Sequence, residues 1–283
     1  MLENALYIVP TPIGNMQDIT LRAIEVLKNV TLIAAEDTRH SKLLLDHIGV
    51  HGIKLISCHD HNEEQRVELI KNEVEKGGSV ALISDAGTPL ISDPGYRVVS
   101  LCSALGVKVI PLPGPCAAIT ALEAAGLPTD SFLFAGFLPV KDKELRQRIS
   151  GLVKSPVTTV FYESPRRIQN TVEIMAQIIP NHEVCLCREL TKAFESVYRF
   201  KAQELPSFLS EDDNRTRGEF VIVVGPAPVT ENKDIDEKVI KALTDLIKVA
   251  PVKAVCATLS ELSGINRNQL YDLALELKSQ ADN

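Results

Sequence analysis

The chain of 283 residues contains no tryptophan, and aromatic side chains make up only 5% of it. It has no apolar run of about 18 residues, the length that a bilayer-spanning helix needs. The first residues, Met1 to Asn4, carry none of the basic charge of a signal peptide. With 45% hydrophobic and 24% charged residues, the composition is that of a globular domain protein. We therefore expect a cytoplasmic protein without membrane association.

The six cysteines include no C-x-x-C pair, which favours free thiols over a disulfide framework or a zinc site. The net charge of −7 argues against a protein that coats nucleic acid through bulk electrostatics. Basic side chains are nevertheless concentrated in the middle of the chain, where an anionic partner is predicted to bind. They are Lys141, Lys143, Arg146, Arg148, Lys154, Arg166 and Arg167.

Residues 1–126 alternate short apolar runs with segments of helical periodicity, five times in succession. This pattern predicts an α/β domain with a parallel sheet that is covered by helices. Ligands of such sheets bind at the carboxyl ends of the strands, so the loops that follow the strands are the candidate site.

Residues 127–228 contain more strands than helices, which predicts a second α/β domain with a mixed sheet. Residues 229–283 form a small helical region with two segments of helical periodicity around Ser263-Gly264. A helix pair is the simpler interpretation of this region, and a helix-turn-helix that reads nucleic acid is the alternative.

Three loops that follow predicted strands are rich in glycine and proline, and none matches a phosphate-binding fingerprint. The first, 10–15, contains Pro12 and Gly14 and is predicted to be stiff. In the second, 84–95, Asp93 is predicted to cap the next helix with Pro94 at its first position, whereas capping does not explain Asp85. The third, 111–118, opens a helix of small residues that leaves room for a flat ligand or for tight packing on a sheet.

Two further sets of polar residues follow strands. Cys58, His59 and His61 match no zinc spacing, so a helix cap is favoured over a metal site. In the segment 161–167, Ser164 is predicted as an N-cap, which places Arg166 and Arg167 in a first helical turn, where the helix dipole disfavours cations. These two arginines are therefore predicted to bind an anion such as phosphate, with a solvated surface as the alternative.

Taken together, the loop sequences resemble the tetrapyrrole-methylase-like class of S-adenosylmethionine methyltransferases. Within that class they are most similar to a subgroup that 2'-O-methylates a cytidine of 16S rRNA. The resemblance covers essentially the whole chain. The segments that carry it are 11–15, 35–39, 84–95, 113–115, 161–165, 188–192 and 218–219.

The resemblance implies that S-adenosylmethionine binds in the cleft between the two α/β domains. The residues expected to bind it are Pro12, Asp85, Gly87, Thr88, Pro89, Ser92, Pro113, Gly114, Cys116 and Ala117. A ribose hydroxyl is a poor nucleophile, so a base or hydrogen-bond acceptor is expected to assist. The candidates are Asp37, Glu163 and Glu189, followed by His59 and His61.

The same resemblance implies that basic residues hold RNA phosphates and that the protein is a homodimer. The candidates for RNA binding are Arg39, Arg166, Arg167, Arg188 and Lys192. Because the net charge of −7 makes the chain a weak binder of naked RNA, 16S rRNA is expected to be presented in the assembled small ribosomal subunit. Two alternatives stay open, a tetrapyrrole carbon-methyltransferase and a non-catalytic protein that binds a nucleoside or the ribosome.

Overall fold

The structure is a computed structural model that describes residues 2–59, 62–228 and 235–281. It contains two α/β domains, one with a parallel and one with a mixed sheet, and a C-terminal helical region. The two sheets belong to one compact unit that ends at Pro228, and the helical region forms a second unit. The domain boundaries after residues 126 and 228 remain predictions of the sequence.

The first sheet is parallel throughout, with the strand order β3-β2-β4-β1-β5. Its central strands are buried on both faces, as expected for a sheet that is covered by helices on each side. Because β1 lies between β4 and β5, the loops that follow these three strands leave the same edge next to one another. The strands are β1 (Leu6–Ile8), β2 (Leu32–Ala35), β3 (Lys54–Ser57), β4 (Val80–Ile83) and β5 (Val109–Pro111).

Helices of this domain follow the strands and bury one apolar stripe each. The helices are α1 (Leu21–Asn29), α2 (Thr38–His47), α3 (Glu63–Glu75), α4 (Tyr96–Ala104) and α5 (Ala117–Ala125). The small residues Ala118, Ala121 and Ala125 of α5 share a core with Val160 and Val221 of the second sheet. The alanines therefore allow close helix–sheet packing, one of the two uses that the sequence predicted.

The second sheet is mixed, with the strand order β6-β7-β10-β8-β9, in which the neighbours β6 and β7 pair in parallel and the other neighbouring strands pair antiparallel. One face packs on α5, and the opposite face packs on α6 and α7. The strands are β6 (Phe132–Phe137), β7 (Thr158–Glu163), β8 (Glu183–Arg188), β9 (Ser196–Lys201) and β10 (Phe220–Val224), and the helices are α6 (Asp142–Ser150), α7 (Ile168–Ile178) and α8 (Leu205–Ser210).

In the C-terminal unit, the described residues 235–281 form three helices with a core of their own, built around Leu243, Cys256 and Leu270. Gly264, with a φ of 70°, ends the second of them in the left-handed conformation that glycine adopts readily. The helices are α9 (Glu237–Leu246), α10 (Val252–Ser263) and α11 (Arg267–Ala281). Across the residues that the structure describes, no helix is both long enough and apolar enough for a membrane span.

The prediction that Asp93 caps α4 is wrong. The N-cap residue is Gly95, with a φ of 124°, and its side chain offers no acceptor. Instead, the buried carboxylate of Glu63, from α3, accepts hydrogen bonds from the backbone N–H groups of Gly95 and Arg97, the second at 3.1 Å. The helix dipole favours a negative charge at a helix N-terminus, so Glu63 of α3 caps α4. Asp93 takes no part in this cap.

Replacing Glu63 with alanine is expected to lower the free energy of unfolding by about 1–3 kcal/mol, because the buried N–H of Gly95 and the partly buried N–H of Arg97 lose their acceptor. The matched control is Glu64→Ala, since Glu64 forms an exposed ion pair with Arg97 at 3.2 Å. An exposed pair contributes about 0–1 kcal/mol. Urea denaturation of both variants measures the difference, and equal losses would contradict the capping role of Glu63.

Candidate active site

Three loops of the first domain meet at the carboxyl edge of its sheet. The backbones of Thr11 and Gly87 form an antiparallel bridge, with reciprocal hydrogen bonds of 2.9 and 3.0 Å. The hydroxyl of Thr88 donates to the carbonyl oxygen of Pro115 at 2.8 Å. A Cβ atom on Gly114 would lie 2.6 Å from that of Pro10, so glycine is required there. The loops after β1, β4 and β5 thus form one rigid surface.

A loop of the second domain, residues 189–192, packs against the first of these loops. The backbone N–H of Asn15 donates to the hydroxyl of Thr191 at 3.1 Å. A Cβ atom on Gly14 would lie 2.4 Å from Cγ of Lys192 and 3.2 Å from the backbone carbonyl oxygen of Leu190, so the two loops leave no room for a side chain there. Glu189 and Thr191 have φ angles of 51° and 66°, a strained conformation for residues other than glycine.

Two adjoining cavities, of about 110 and 260 Å³, lie between these loops and the second sheet. Ile13, Ala86 and Glu219 line both cavities, so we treat them as one site and call it the cleft. Apolar side chains that include Ile91, Leu190 and Val221 form much of the smaller cavity. The cleft therefore offers a mainly apolar surface with a few polar groups, as small-molecule sites do.

Negative charge is concentrated at one side of the cleft. Asp93 lines the smaller cavity and Asp85 the larger. Burial, with a smaller contribution from the carboxylates of Glu36 and Asp85, raises the pKa of Asp93 to about 6, against a hydrogen bond with Ser84 that lowers it. Asp85 accepts a hydrogen bond from the backbone N–H of Asp37 at 3.1 Å. This side of the cleft suits a cationic ligand.

Tyr162, at the end of β7, lines the smaller cavity opposite the first domain's loops. Its hydroxyl oxygen accepts a hydrogen bond from the backbone N–H of Ala118 at 3.1 Å, near the start of α5. Burial raises the pKa of this hydroxyl above its usual value. It therefore remains protonated and can donate to a ligand in the cleft.

Each of the three predicted catalytic carboxylates forms an ion pair with a basic side chain. The Asp37 side chain caps α2 and binds Arg39 at 2.8 Å, and these hydrogen bonds lower its pKa well below the usual range. Burial tends to raise the pKa of Glu189, but hydrogen bonds from the Glu219 backbone and Lys192 keep it lowered. A lowered pKa weakens a carboxylate as a base.

Glu163 is the third of these carboxylates, and its side chain has 0% exposure. It binds the guanidinium of Arg167 at 2.6 Å and accepts hydrogen bonds from the Thr171 hydroxyl at 2.8 Å and the Ser164 N–H at 2.7 Å. These partners enclose the carboxylate within the second domain, which favours a structural role for Glu163.

The prediction that Ser164 caps α7 is wrong, because residues 164–167 form a turn and α7 has Arg167 as its N-cap. Arg166 is exposed on this turn, whereas Arg167 points inward to Glu163 and donates to the carbonyl oxygen of Leu138 at 2.9 Å. The two arginines are therefore not equivalent. Arg166 is the one whose position suits an external anion.

The other predicted RNA-binding side chains lie in different surroundings. Arg39 is 90% exposed while it pairs with Asp37. Arg188 donates to the backbone carbonyl oxygens of Arg217 and Phe194, at 2.6 and 3.2 Å. Lys192 lines the larger cavity with Nζ 2.9 Å from carboxylate oxygens of both Glu189 and Glu219. Their role in RNA binding remains a prediction.

The residues around Cys58 follow β3. Cys58 is buried, and burial raises the pKa of its thiol to about 12. Nε2 of His59 lies 3.1 Å from the side-chain amide of Asn62, and His61 is outside the described residues. The described part of the chain contains no group of three or more His, Cys, Asp or Glu side chains arranged to hold a metal ion.

The structure brings most residues of the predicted cofactor set to the cleft. Pro12 and Asp85 line the larger cavity, and Gly114 lies beside the cleft in the loop after β5. Pro89, Ser92 and Pro113 belong to the same loops, with Pro89 buried and the other two exposed. The remaining four, Gly87, Thr88, Cys116 and Ala117, line the smaller cavity.

Sequence analysis missed Tyr162 and Glu219 as cleft residues and gave Asp93 a different role. A signal for Tyr162 was present, because alternation along β7 places it on the face opposite Phe161, toward α5. Glu219 directly precedes β10 and belongs to the segment 218–219 that contributes to the family resemblance, but neither periodicity nor residue type indicated that it lines the cleft. It reaches the cleft because β10 lies at the centre of the second sheet.

The fold and the cleft are typical of a two-domain α/β protein with a small-molecule site between its sheets. Residues 5–206 match the family described as Tetrapyrrole (Corrin/Porphyrin) Methylases, and residues 233–278 match the RsmI C-terminal HTH domain. The chain belongs to the tetrapyrrole methylase family and to its branch of ribosomal RNA small subunit methyltransferase I proteins. The second match favours the helix-turn-helix alternative for the C-terminal region.

Two relatives illustrate this branch. The ribosomal RNA small subunit methyltransferase I of Escherichia coli O157:H7 is 47% identical over 97% of this chain and 96% of its own length. The protein of the same name from Vibrio cholerae is 47% identical over 96% and 94%. A solved structure with the same fold is the uroporphyrin-III C-methyltransferase of Thermus thermophilus complexed with S-adenyl homocysteine, at 15% identity and a TM-score of 0.52 over 79% of this chain and 98% of that one.

Proposed function

We propose that this methyltransferase transfers the methyl group of S-adenosylmethionine to the ribose 2'-oxygen of a cytidine in 16S rRNA. The observation that carries the proposal is the 47% identity, over nearly the full length of both chains, to relatives named for methylation of small-subunit rRNA. The cleft supports the proposal because it combines an apolar surface with carboxylates, which suits a partly apolar donor that carries a positive charge.

The cleft residues fit S-adenosylmethionine. This donor carries no phosphate, in agreement with loops that lack a phosphate-binding fingerprint. Ile13, Ile91 and Val221 provide apolar surface for its adenosine, and Asp85 provides a carboxylate for its positive charge. When bound, the donor supplies a methyl group that its sulfonium already activates. The protein then orients the two reactants and excludes water from them.

We expect Asp85→Ala to weaken the binding of S-adenosylmethionine about 10- to 100-fold, because a charged hydrogen-bond acceptor is lost from the cleft. Arg166→Ala should leave donor binding unchanged and impair rRNA methylation, because Arg166 lies on an exposed turn outside the described cavity walls. Isothermal titration calorimetry measures donor binding for both variants. Equal weakening of donor binding would contradict this division of roles.

For the rRNA, we propose that Arg166 and its basic neighbours on α6 contact phosphates, together with Arg39 and Lys192 near the cleft. Charge supports this assignment, since α6 carries Lys143, Arg146 and Arg148. The net charge of −7 opposes the binding of naked RNA. The substrate is therefore the assembled small subunit, in which shape and ribosomal proteins add contacts.

Transfer of labelled methyl groups to small subunits from a methylation-deficient strain tests the proposal. We expect label on one cytidine ribose of 16S rRNA, located by mapping the modified nucleotide. Protein-free 16S rRNA is the parallel substrate, and comparable labelling of it would contradict the requirement for the subunit. Absence of label from both would contradict the function.

The two alternatives have less support. The uroporphyrin-III C-methyltransferase is only 15% identical to this chain, so the similarity between them shows a shared fold and supports no shared substrate. Incubation with a precursor tetrapyrrole tests that alternative directly. A non-catalytic binding protein would show no methyl transfer. We further propose that the protein acts as a homodimer in the cytoplasm, which size-exclusion chromatography with light scattering and cell fractionation test.

A further inference from the structure

The position of Asp93 in the cleft is not explained by its neighbours on the chain. It follows Ser92, whose φ of 67° is strained for a residue other than glycine, and it precedes α4 without capping it. Glu63 accepts the N–H groups at the start of α4. The Asp93 side chain instead lines the smaller cavity together with Thr88 and Tyr162.

Two other titratable groups of the smaller cavity are protonated at neutral pH, and a third is held in an ion pair. Hydrogen bonding to Cys185, at 3.7 Å between the sulfur atoms, and burial raise the pKa of the Cys187 thiol. The Tyr162 hydroxyl remains protonated because burial raises its pKa. Glu219 is paired with Lys192 at 2.9 Å.

We propose that Asp93 is the proton acceptor of the methyl transfer, an inference that rests on the proposed function. The 2'-oxygen of the ribose gains the methyl carbon, the bond between that carbon and sulfur breaks with its electrons on sulfur, and the hydroxyl proton passes to the Asp93 carboxylate. The products are the 2'-O-methyl ribose and S-adenosylhomocysteine. In this assignment Asp93 replaces Asp37, Glu163 and Glu189, each of which is held by a cation.

Burial and neighbouring charges make Asp93 suitable for this step. Its pKa of about 6 leaves it ionised at neutral pH yet more basic than an ordinary carboxylate. The groups that face it are the Ser84 hydroxyl and the carboxylates of Asp85 and Glu36. Across the cavity lie Tyr162 from β7, Cys187 from β8, Glu219 beside β10 and Cys116 before α5.

The test is Asp93→Asn, which keeps the shape of the side chain and removes its basicity. We expect kcat to fall by about 10²- to 10⁴-fold, while the Kd for S-adenosylhomocysteine changes less than about threefold. In the wild type, kcat/KM should rise with pH through about 6 and level off above about 7, because the ionised form of Asp93 accepts the proton. The variant should lose this rise. Asp46→Asn, which removes an exposed carboxylate of α2, is the matched control with unchanged kcat.

A second readout does not depend on turnover. In ligand-free protein with ¹³C-labelled aspartate, the carboxyl resonance that is missing from Asp93→Asn should titrate near pH 6. An unchanged kcat and pH profile in the variant would overturn the role of Asp93 and leave the proposed function standing. A loss of S-adenosylhomocysteine binding as large as the loss of kcat would also overturn it, because Asp93 would then be a binding group. If the wild-type protein does not methylate small subunits, both the proposed function and this inference are wrong.

Discussion

Replacing Arg167 with alanine is expected to lower the free energy of unfolding by about 3 kcal/mol, because it leaves the carboxylate of Glu163 buried without its cation. The Glu163 side chain has 0% exposure and that of Arg167 has 24%, and their charged atoms lie 2.6 Å apart. The guanidinium also donates to the Leu138 carbonyl oxygen at 2.9 Å and so joins β7 to the segment after β6. For a unit of this size, the melting temperature should fall by about 6–12 °C.

The control for this prediction is the adjacent residue. Arg166→Ala removes the same type of side chain from an exposed position and should change stability by less than about 0.5 kcal/mol. Differential scanning calorimetry of both variants measures the difference. A double-mutant cycle with Glu163→Gln isolates the energy of the pair, and a coupling energy near zero would contradict its structural role.

Replacing Gly114 with alanine is expected to reduce kcat/KM about 10²-fold. The added Cβ atom would lie 2.6 Å from Cβ and 2.9 Å from Cγ of Pro10, whose ring cannot rotate away. The loops after β1 and β5 must then separate, which displaces Pro12 and Cys116 at the two cavities. A displacement of about 1 Å at a reacting centre can reduce the rate by about 10²-fold.

Steady-state methyl transfer and calorimetric binding of S-adenosylhomocysteine check this prediction. Gly151→Ala is the matched control, because Gly151 lies at the end of α6 with a helical φ of −63° and its added Cβ atom would be 3.3 Å from the nearest atom. Wild-type kinetics for Gly114→Ala would show that the two loops can separate without disturbing the cleft.

Local patterns predicted most of the fold correctly. The alternation of short apolar runs with segments of helical periodicity identified the five strands and five helices of residues 1–126. Helix caps were predicted less well. Asp93 and Ser164 have the residue types and spacing of N-caps, but a residue distant in sequence, Glu63, caps α4, and a turn delays the start of α7.

For the candidate site too, the sequence predicted some features and the fold decided others. The loops that form the cleft were predicted because parallel strands end at one edge of a sheet. Arg166 and Arg167, by contrast, are identical neighbours in sequence, and a buried carboxylate distinguishes them in the fold. The pKa of Asp93 likewise depends on burial, on Asp85 in the same loop and on Glu36, which another strand, β2, brings close.

By itself, the sequence determined the order of strands and helices and the loops expected to bear the site, because each follows from periodicity or residue type over a short segment. The class of methyl donor came from the resemblance of those loops to a known family. Only the tertiary structure decided which polar side chains are held in ion pairs and which face the cleft. Hydrogen bonding and desolvation depend on distances of a few ångströms between segments far apart in the chain, and no local pattern encodes those distances.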